Sequence, residues 1–155
     1  MTKPPEHAGT ILCAVDPAAV SDHAMRLAAA LHARLGMRLI LLHVLPQTTP
    51  EAAVGSARRD DQHGARATLR ARANAIGGEI DVRVEAGARP DVIARVAGEE
   101  GADMIVVGSS SGRRHTLRCG LAQELQTITP VPVLIAPPAD RSPSGLRLAL
   151  GLRAV

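Results

Sequence analysis

The chain has 155 residues, enough for one domain that buries roughly 70% of the surface its unfolded form exposes. It contains no Phe, Tyr or Trp, so its core must come from Ala, Val, Leu and Ile, and nucleic-acid binding by base stacking is set aside. A net charge of +3, from eighteen basic and fifteen acidic residues spread along the chain, suits a small polyanion better than a duplex.

Residues 1–9 read as a flexible tail, and Met1 to His7 lack the apolar stretch of a secretion signal. No apolar run of about 18 residues occurs, so a cytoplasmic protein with no membrane partner is expected. Ile11 to Val15 is apolar throughout and reads as a buried strand, ended by Asp16 and Pro17. Ser21 is placed to cap a helix in which Ala24, Leu27, Ala28, Leu31 and Leu35 recur at helical spacing, with Gly36 as its stop. Arg38 to Leu45 reads as a second buried strand, closed by Pro46.

Gln47 to Ala57, with Pro50 and Gly55, reads as a loop. Ala65, Leu69, Ala73 and Ile76 mark one face of a helix that stops at Gly77-Gly78, while Arg58, Arg59, Arg66, Arg70 and Arg72 read as its solvated face. Ile80, Val82 and Val84 alternate with Asp81, Arg83 and Glu85, the pattern of an edge strand with one wet face. Pro90 opens a helix through Val92, Ile93, Val96 and Ala97 that ends near Gly101. Asp103 to Val107 is the fourth strand. Leu121, Leu125 and Ile128 define a last helix, ended by Pro130, before an edge strand from Val131 to Ile135 that carries Pro132 near its start.

Strands alternating with helices imply an α/β doubly wound five-stranded parallel sheet with right-handed crossovers. Orders 2-1-3-4-5 and 3-2-1-4-5 both satisfy the pattern, and the edge character of the third strand favours 3-2-1-4-5. That order sets Asp16 beside Gly108 in the crevice outside the carboxyl ends of strands one and four, where the winding reverses. The segment Gly108-Ser109-Ser110-Ser111-Gly112-Arg113-Arg114-His115 combines small residues, which let main-chain N–H groups approach a ligand, with positive charge. Carboxylate and anion-binding loop together meet the requirements of a nucleotide.

Cys13 and Cys119 lack metal spacing and read as buried or incidental thiols, and the six histidines show no ligand pattern, so no metal site is expected. No Gly-x-Gly-x-x-Gly follows strand one and no Gly-x-x-x-x-Gly-Lys-Ser/Thr occurs, which argues against dinucleotide and P-loop enzymes. A phosphoacceptor receiver would want a lysine after strand five, where Ala136-Pro137-Pro138 stands.

Ala102 to Ser109 followed by Pro130 to Ile135 resembles the closing half of a universal stress protein domain. Val15-Asp16, Leu42-His43-Val44 and Gly87-Ala88-Arg89-Pro90 match that family in order. The resemblance covers residues 10–138 as one domain. It implies the 3-2-1-4-5 sheet, a homodimer built through strand five (Val131, Val133, Ile135), and either binding of an adenine nucleotide, ATP foremost with or without Mg²⁺, or a nucleotide-free signalling role. The residues it assigns to a nucleotide are Ala14, Asp16, Val44, Val107, Gly108, Ser109, Ser110, Gly112, Arg113, Gly120 and Leu121, with Asp16 and the Val44 main chain toward adenine and ribose and Gly108, Ser109, Ser110, Gly112 and Gly120 around the phosphates.

The chain departs from the family's Gly-x-x-Gly-(nine residues)-Gly-Ser/Thr loop. Ser111 stands at the second glycine with Gly112 one place late, Gly120 comes one place early, and Leu121 replaces the hydroxyl residue. A shifted glycine moves a permitted left-handed turn, and a lost hydroxyl removes a phosphate donor. Arg113, Arg114 and His115 can compensate with charge. No base is positioned for catalysis, so the expectation is a regulatory dimer with an unidentified signalling partner and at most slow ATP hydrolysis. The alternative is a protein–protein interaction module without nucleotide. Residues 139–155 lie outside the resemblance, and their alternating Leu146, Leu148, Leu150 and Leu152 suit either a tail or an extra strand.

Overall fold

Leu39, Ile40, Leu41 and Leu42 are consecutive and all fully buried, which requires cover on both faces of the strand that carries them. The computed structural model describes residues 8–15, 21–47, 55–109 and 120–137. Five strands, β1 (Thr10–Ala14), β2 (Arg38–Leu45), β3 (Ile80–Ala86), β4 (Met104–Gly108) and β5 (Val133–Ala136), pair in the order β3-β2-β1-β4-β5. Every pairing is parallel. The connecting helices are α1 (Ser21–Leu35), α2 (Gly55–Ile76), α3 (Arg89–Glu99) and α4 (Gly120–Ile128).

The pleat sorts the apolar residues into two layers. Ile11, Cys13, Leu39, Leu41, Val82 and Val106 meet Ala24, Met25 and Ala28 of α1 and Leu69 and Ala73 of α2. Leu12, Ile40, Leu42, Val44, Ile105 and Val107 meet Val92, Ile93, Val96 and Ala97 of α3 and Ala122 and Leu125 of α4. Truncating one of these leucines or isoleucines to Ala costs about 2–5 kcal/mol. Gly36 ends α1 at φ +65°, a conformation that glycine adopts without penalty, and donates its N–H to the His32 carbonyl at 3.0 Å.

Edge strand β3 carries charge on its α3 side. Arg83 contacts Glu85 at 2.7 Å, Glu100 at 2.8 Å and Glu99 at 3.0 Å, while Arg38 joins Asp81 and Glu100, each at 2.8 Å. Arg95 completes the network through Glu99 at 2.6 Å and Glu85 at 3.3 Å. The hydrogen bond from Arg83, supported by Arg95, outweighs burial and holds the Glu85 carboxyl below its ordinary range. A charged edge of this kind also discourages pairing with another chain.

Several boundaries differ from the sequence expectation. Gly55 to Ala57 belong to α2 and not to the preceding loop. Residues 59–61 are exposed, so this part of the helix has no buried stripe for periodicity to reveal. The Arg-rich face of α2 is not wholly solvated either, because Arg70 Nη1 donates to the Ile80 carbonyl at 3.1 Å. Strands β1 and β4 are each displaced by one residue from the expected spans. At their start, Thr10 N–H donates to Asp103 Oδ2 at 2.8 Å and Asp103 N–H returns a bond to the Thr10 carbonyl at 2.9 Å. Ile128, expected on the buried face of α4, is its last residue and is 47% exposed.

Strand five begins at Val133, so Val131 does not belong to the edge proposed for pairing. Pro132 has no N–H to offer, but its carbonyl accepts Ile105 N–H at 2.9 Å, and Val131 packs into the layer under α3 and α4. The side chain of Ser21, expected as the cap of α1, Cys119, and the alternating leucines at 146–152 lie outside what is described.

Candidate functional site

Parallel pairing places every strand end on one rim. Cys13 lies opposite Val106 and Gly108 opposite Ala136, so the exits of β1 and β4 are neighbours where the winding reverses. Ligands of open α/β sheets bind in the crevice outside that point. Asp16, Ser110, Gly112 and Arg113 lie outside the described residues, as do Arg114 and His115. The described candidates are Ala14, Val44, Val107, Gly108, Ser109, Gly120 and Leu121.

These seven do not all face the same environment. Val44 and Val107 belong to the apolar layer under α3 and α4, and Ala14 and Leu121 pack against it. Gly120 is the first residue of α4. Ser109 follows β4 directly, and its N–H donates to the Ala136 carbonyl at 3.0 Å, so this amide remains in the sheet. Its hydroxyl is different. Ser109 Oγ is buried without a hydrogen-bond partner among the described residues. A buried oxygen left unpaired costs about 1–3 kcal/mol, a deficit that a bound donor or acceptor removes.

His43 is a further residue at this rim, one that sequence reasoning passed over among six scattered histidines. It is 8% exposed, and its ring Nδ1–H donates to the Val15 carbonyl at 2.9 Å. The tautomer follows from the acceptor. A histidine inside an otherwise apolar buried strand was the available signal, because a buried polar group needs a partner. With Val15, Ala65, Thr68, Leu69 and Arg72 it borders a cavity of about 30 Å³. That volume suits about one water molecule and no nucleotide. Among the described residues, no group of three or more His, Cys, Asp or Glu side chains is gathered for a metal ion.

A parallel sheet in the order 3-2-1-4-5, whose winding reverses between the first and fourth strands, defines the class: a doubly wound α/β domain. The universal stress protein family model matches residues 8–137. The chain belongs to the universal stress protein family.

Solved structures agree on the fold. A universal stress protein from Lactobacillus plantarum is similar with a TM-score of 0.71 at 18% identity, over 84% of this chain and 98% of that one. A universal stress protein in complex with cAMP gives 0.63 at 21% identity, over 82% and 95%. One from Archaeoglobus fulgidus in complex with dAMP gives 0.57 at 22% identity, over 82% and 96%. Among curated proteins no match was found. Among the described residues, no helix is long and apolar enough to cross a membrane.

Proposed function

We propose that this protein is a regulatory universal stress protein that binds an adenine nucleotide, ATP foremost, outside the ends of β1 and β4. The observation that carries the reading is the buried hydroxyl of Ser109, which has no partner among the described residues, beside the reversal of winding. The structural relatives in complex with cAMP and dAMP support it. In this reading Asp16 accepts ribose hydroxyls and Ala14 and the Val44 main chain border the base. Val107, Gly108, the Ser109 hydroxyl, Ser110, Gly112, Gly120 and Leu121 surround the phosphates, and Arg113 supplies a planar fork of donors. Bound Mg²⁺ would be held through the phosphates. The residues assigned to the site include no second carboxylate, lysine or histidine beside Asp16, so in this reading the protein reports nucleotide and turns it over slowly at most.

The same reading makes the protein a cytoplasmic homodimer joined through the β5 edge, where Ile135 is 49% exposed. A nucleotide-free interaction module is the second reading. It is favoured by the displaced glycines and by Leu121, which packs into the apolar layer where the family carries a hydroxyl.

Absorbance separates the two, because a chain without Phe, Tyr or Trp contributes almost nothing near 260 nm. Purified protein is expected to carry an adenine band or to take up ATP at millimolar concentration in equilibrium dialysis. Neither band nor uptake would leave the interaction module.

A further inference from the structure

We propose that the outer edge of β5 is covered by this chain's own tail, with residues 146–152 returning as a sixth, antiparallel strand that competes with a second copy for that edge. The strand goes beyond the reading above, and only the competition rests on its β5 dimer. Among the described residues β5 pairs with β4 alone. Two bonds into β4 fix its phase: the Pro132 carbonyl accepts Ile105 N–H at 2.9 Å and the Ala136 carbonyl accepts Ser109 N–H at 3.0 Å. Main-chain groups along a strand face its two sides alternately, so the N–H and C=O of Val133 and Ile135 face outward.

The two edges of the sheet differ. Strand β3 carries Asp81, Arg83 and Glu85, whereas Val133-Leu134-Ile135-Ala136 has no charge to deter pairing. Val133 and Ile135 lie opposite Ile105 and Val107, on the side of α3 and α4. There Ile135 and Ile128, the last residue of α4, are both exposed. On the other side Leu134 packs against the layer under α1 and α2, and Ala136 is buried. The bare apolar surface beside this edge therefore lies on the α4 side.

A strand that is apolar on one face fits it. Leu146, Leu148, Leu150 and Leu152 alternate with Arg147, Ala149 and Gly151, so as a strand all four leucines share a face. Residues 137–145 join β5 to this segment. A parallel return needs a crossover of about a dozen residues or more, and an antiparallel one needs only a turn. Pro137, Pro138, Pro143 and Gly145 supply turn chemistry. Extended, residues 146–152 span about 23 Å, so the strand runs back from the carboxyl rim along β5 and on toward the end of α4. In an antiparallel pair, directly opposite residues share a face, and those whose groups point inward exchange both main-chain bonds. Leucines set opposite Ile135 and Val133 therefore cover the α4 side and turn their own amides into the sheet, while the amide between them faces water. So short a tether holds the tail near β5 at about millimolar effective concentration, which favours the chain's own tail over a partner's.

The test is amide hydrogen exchange by NMR on the full-length protein, with sedimentation of wild type and the Leu148→Asp/Leu150→Asp variant. Two successive leucines within residues 146–152 are expected to exchange at least about a hundredfold more slowly than an unstructured chain, with the residue between them exchanging freely. Methyl contacts from those leucines to Ile135 are expected within single copies in a sample mixing labelled and unlabelled protein. The double variant is expected to lose that protection and, with the edge released, to self-associate at least about tenfold more tightly. Rapid exchange throughout residues 146–152, or contacts found only between copies, would overturn the strand. Protection of the wild-type tail with association unchanged in the variant would overturn the competition, and with it the β5 dimer.

Discussion

Ser109 donates its N–H to the Ala136 carbonyl at 3.0 Å and buries its own hydroxyl without a partner among the described residues, so the first residue past β4 is held to the sheet by its main chain alone. Replacing Ser109 by Ala removes the unpaired oxygen and leaves the main-chain bond intact. The variant is expected to melt at the wild-type temperature or a few degrees higher without ligand, since an unsatisfied buried hydroxyl costs about 1–3 kcal/mol. With ATP added, its affinity should be about tenfold weaker than wild type. Thermal scans with and without ATP check both halves, and an unchanged ATP-induced shift would remove Ser109 from the site.

Gly87 holds φ at +150°, and a Cβ built there would stand 2.8 Å from Val92 Cγ2. Gly87→Ala should therefore destabilise by about 1–3 kcal/mol through backbone strain and the clash together. Adding Val92→Ala should relieve the clash without relieving the strain, so urea denaturation of the pair should show only partial recovery. Full recovery would mean that the backbone at Gly87 is unstrained.

The Glu85 carboxyl is held low mainly by its hydrogen bond from Arg83. A carboxylate whose folded value is depressed contributes stability that is fully present above its unfolded value, about 4.3, and is lost as the pH falls through the folded one. Stability measured by urea should stay level from pH 7 to about 5 and decline below about 4. Glu85→Gln should flatten that decline. Glu99 is shifted in the same direction by Arg95 and Arg83, but its exposure leaves it more open to salt screening.

Cys13 is completely buried between β2 and β4, and burial pushes its thiol up to about 12. A thiol so protonated is a poor nucleophile. In Cys119→Ser protein, native samples should show no reaction with an aromatic disulfide reagent, and one thiol should appear on unfolding. A fast-reacting native thiol would contradict this packing.

Ile135 is 49% exposed on the outer strand, whereas Val131 packs inside its own subunit. If the proposed dimer forms through β5, Ile135→Lys should shift sedimentation from dimer to monomer with little change in helical signal. Val131→Lys should instead lower stability, since it sets a charge against the apolar layer. A dimer that survives Ile135→Lys would locate the association elsewhere.

Much of the architecture was legible in advance because it follows from which residues avoid water. The run Leu39 to Leu42 required cover on both faces, and the wet alternate positions Asp81, Arg83 and Glu85 put their strand at the sheet edge, as observed. The start of α2 was not legible, since an exposed turn leaves no apolar imprint. Val131 was read into strand five, which begins at Val133, because an apolar residue next to a strand looks like part of it in composition alone.

Asp16 after a buried strand and glycines after Val107 carry the expectation of an anion or nucleotide at the carboxyl rim, since local residue chemistry is written along the chain. The bond from His43 to Val15 joins residues 28 positions apart, and the buried Ser109 hydroxyl depends on what surrounds it. Folding settled both, because hydrogen-bond satisfaction is a property of neighbours in space, and periodicity along a chain records only the side on which water is excluded.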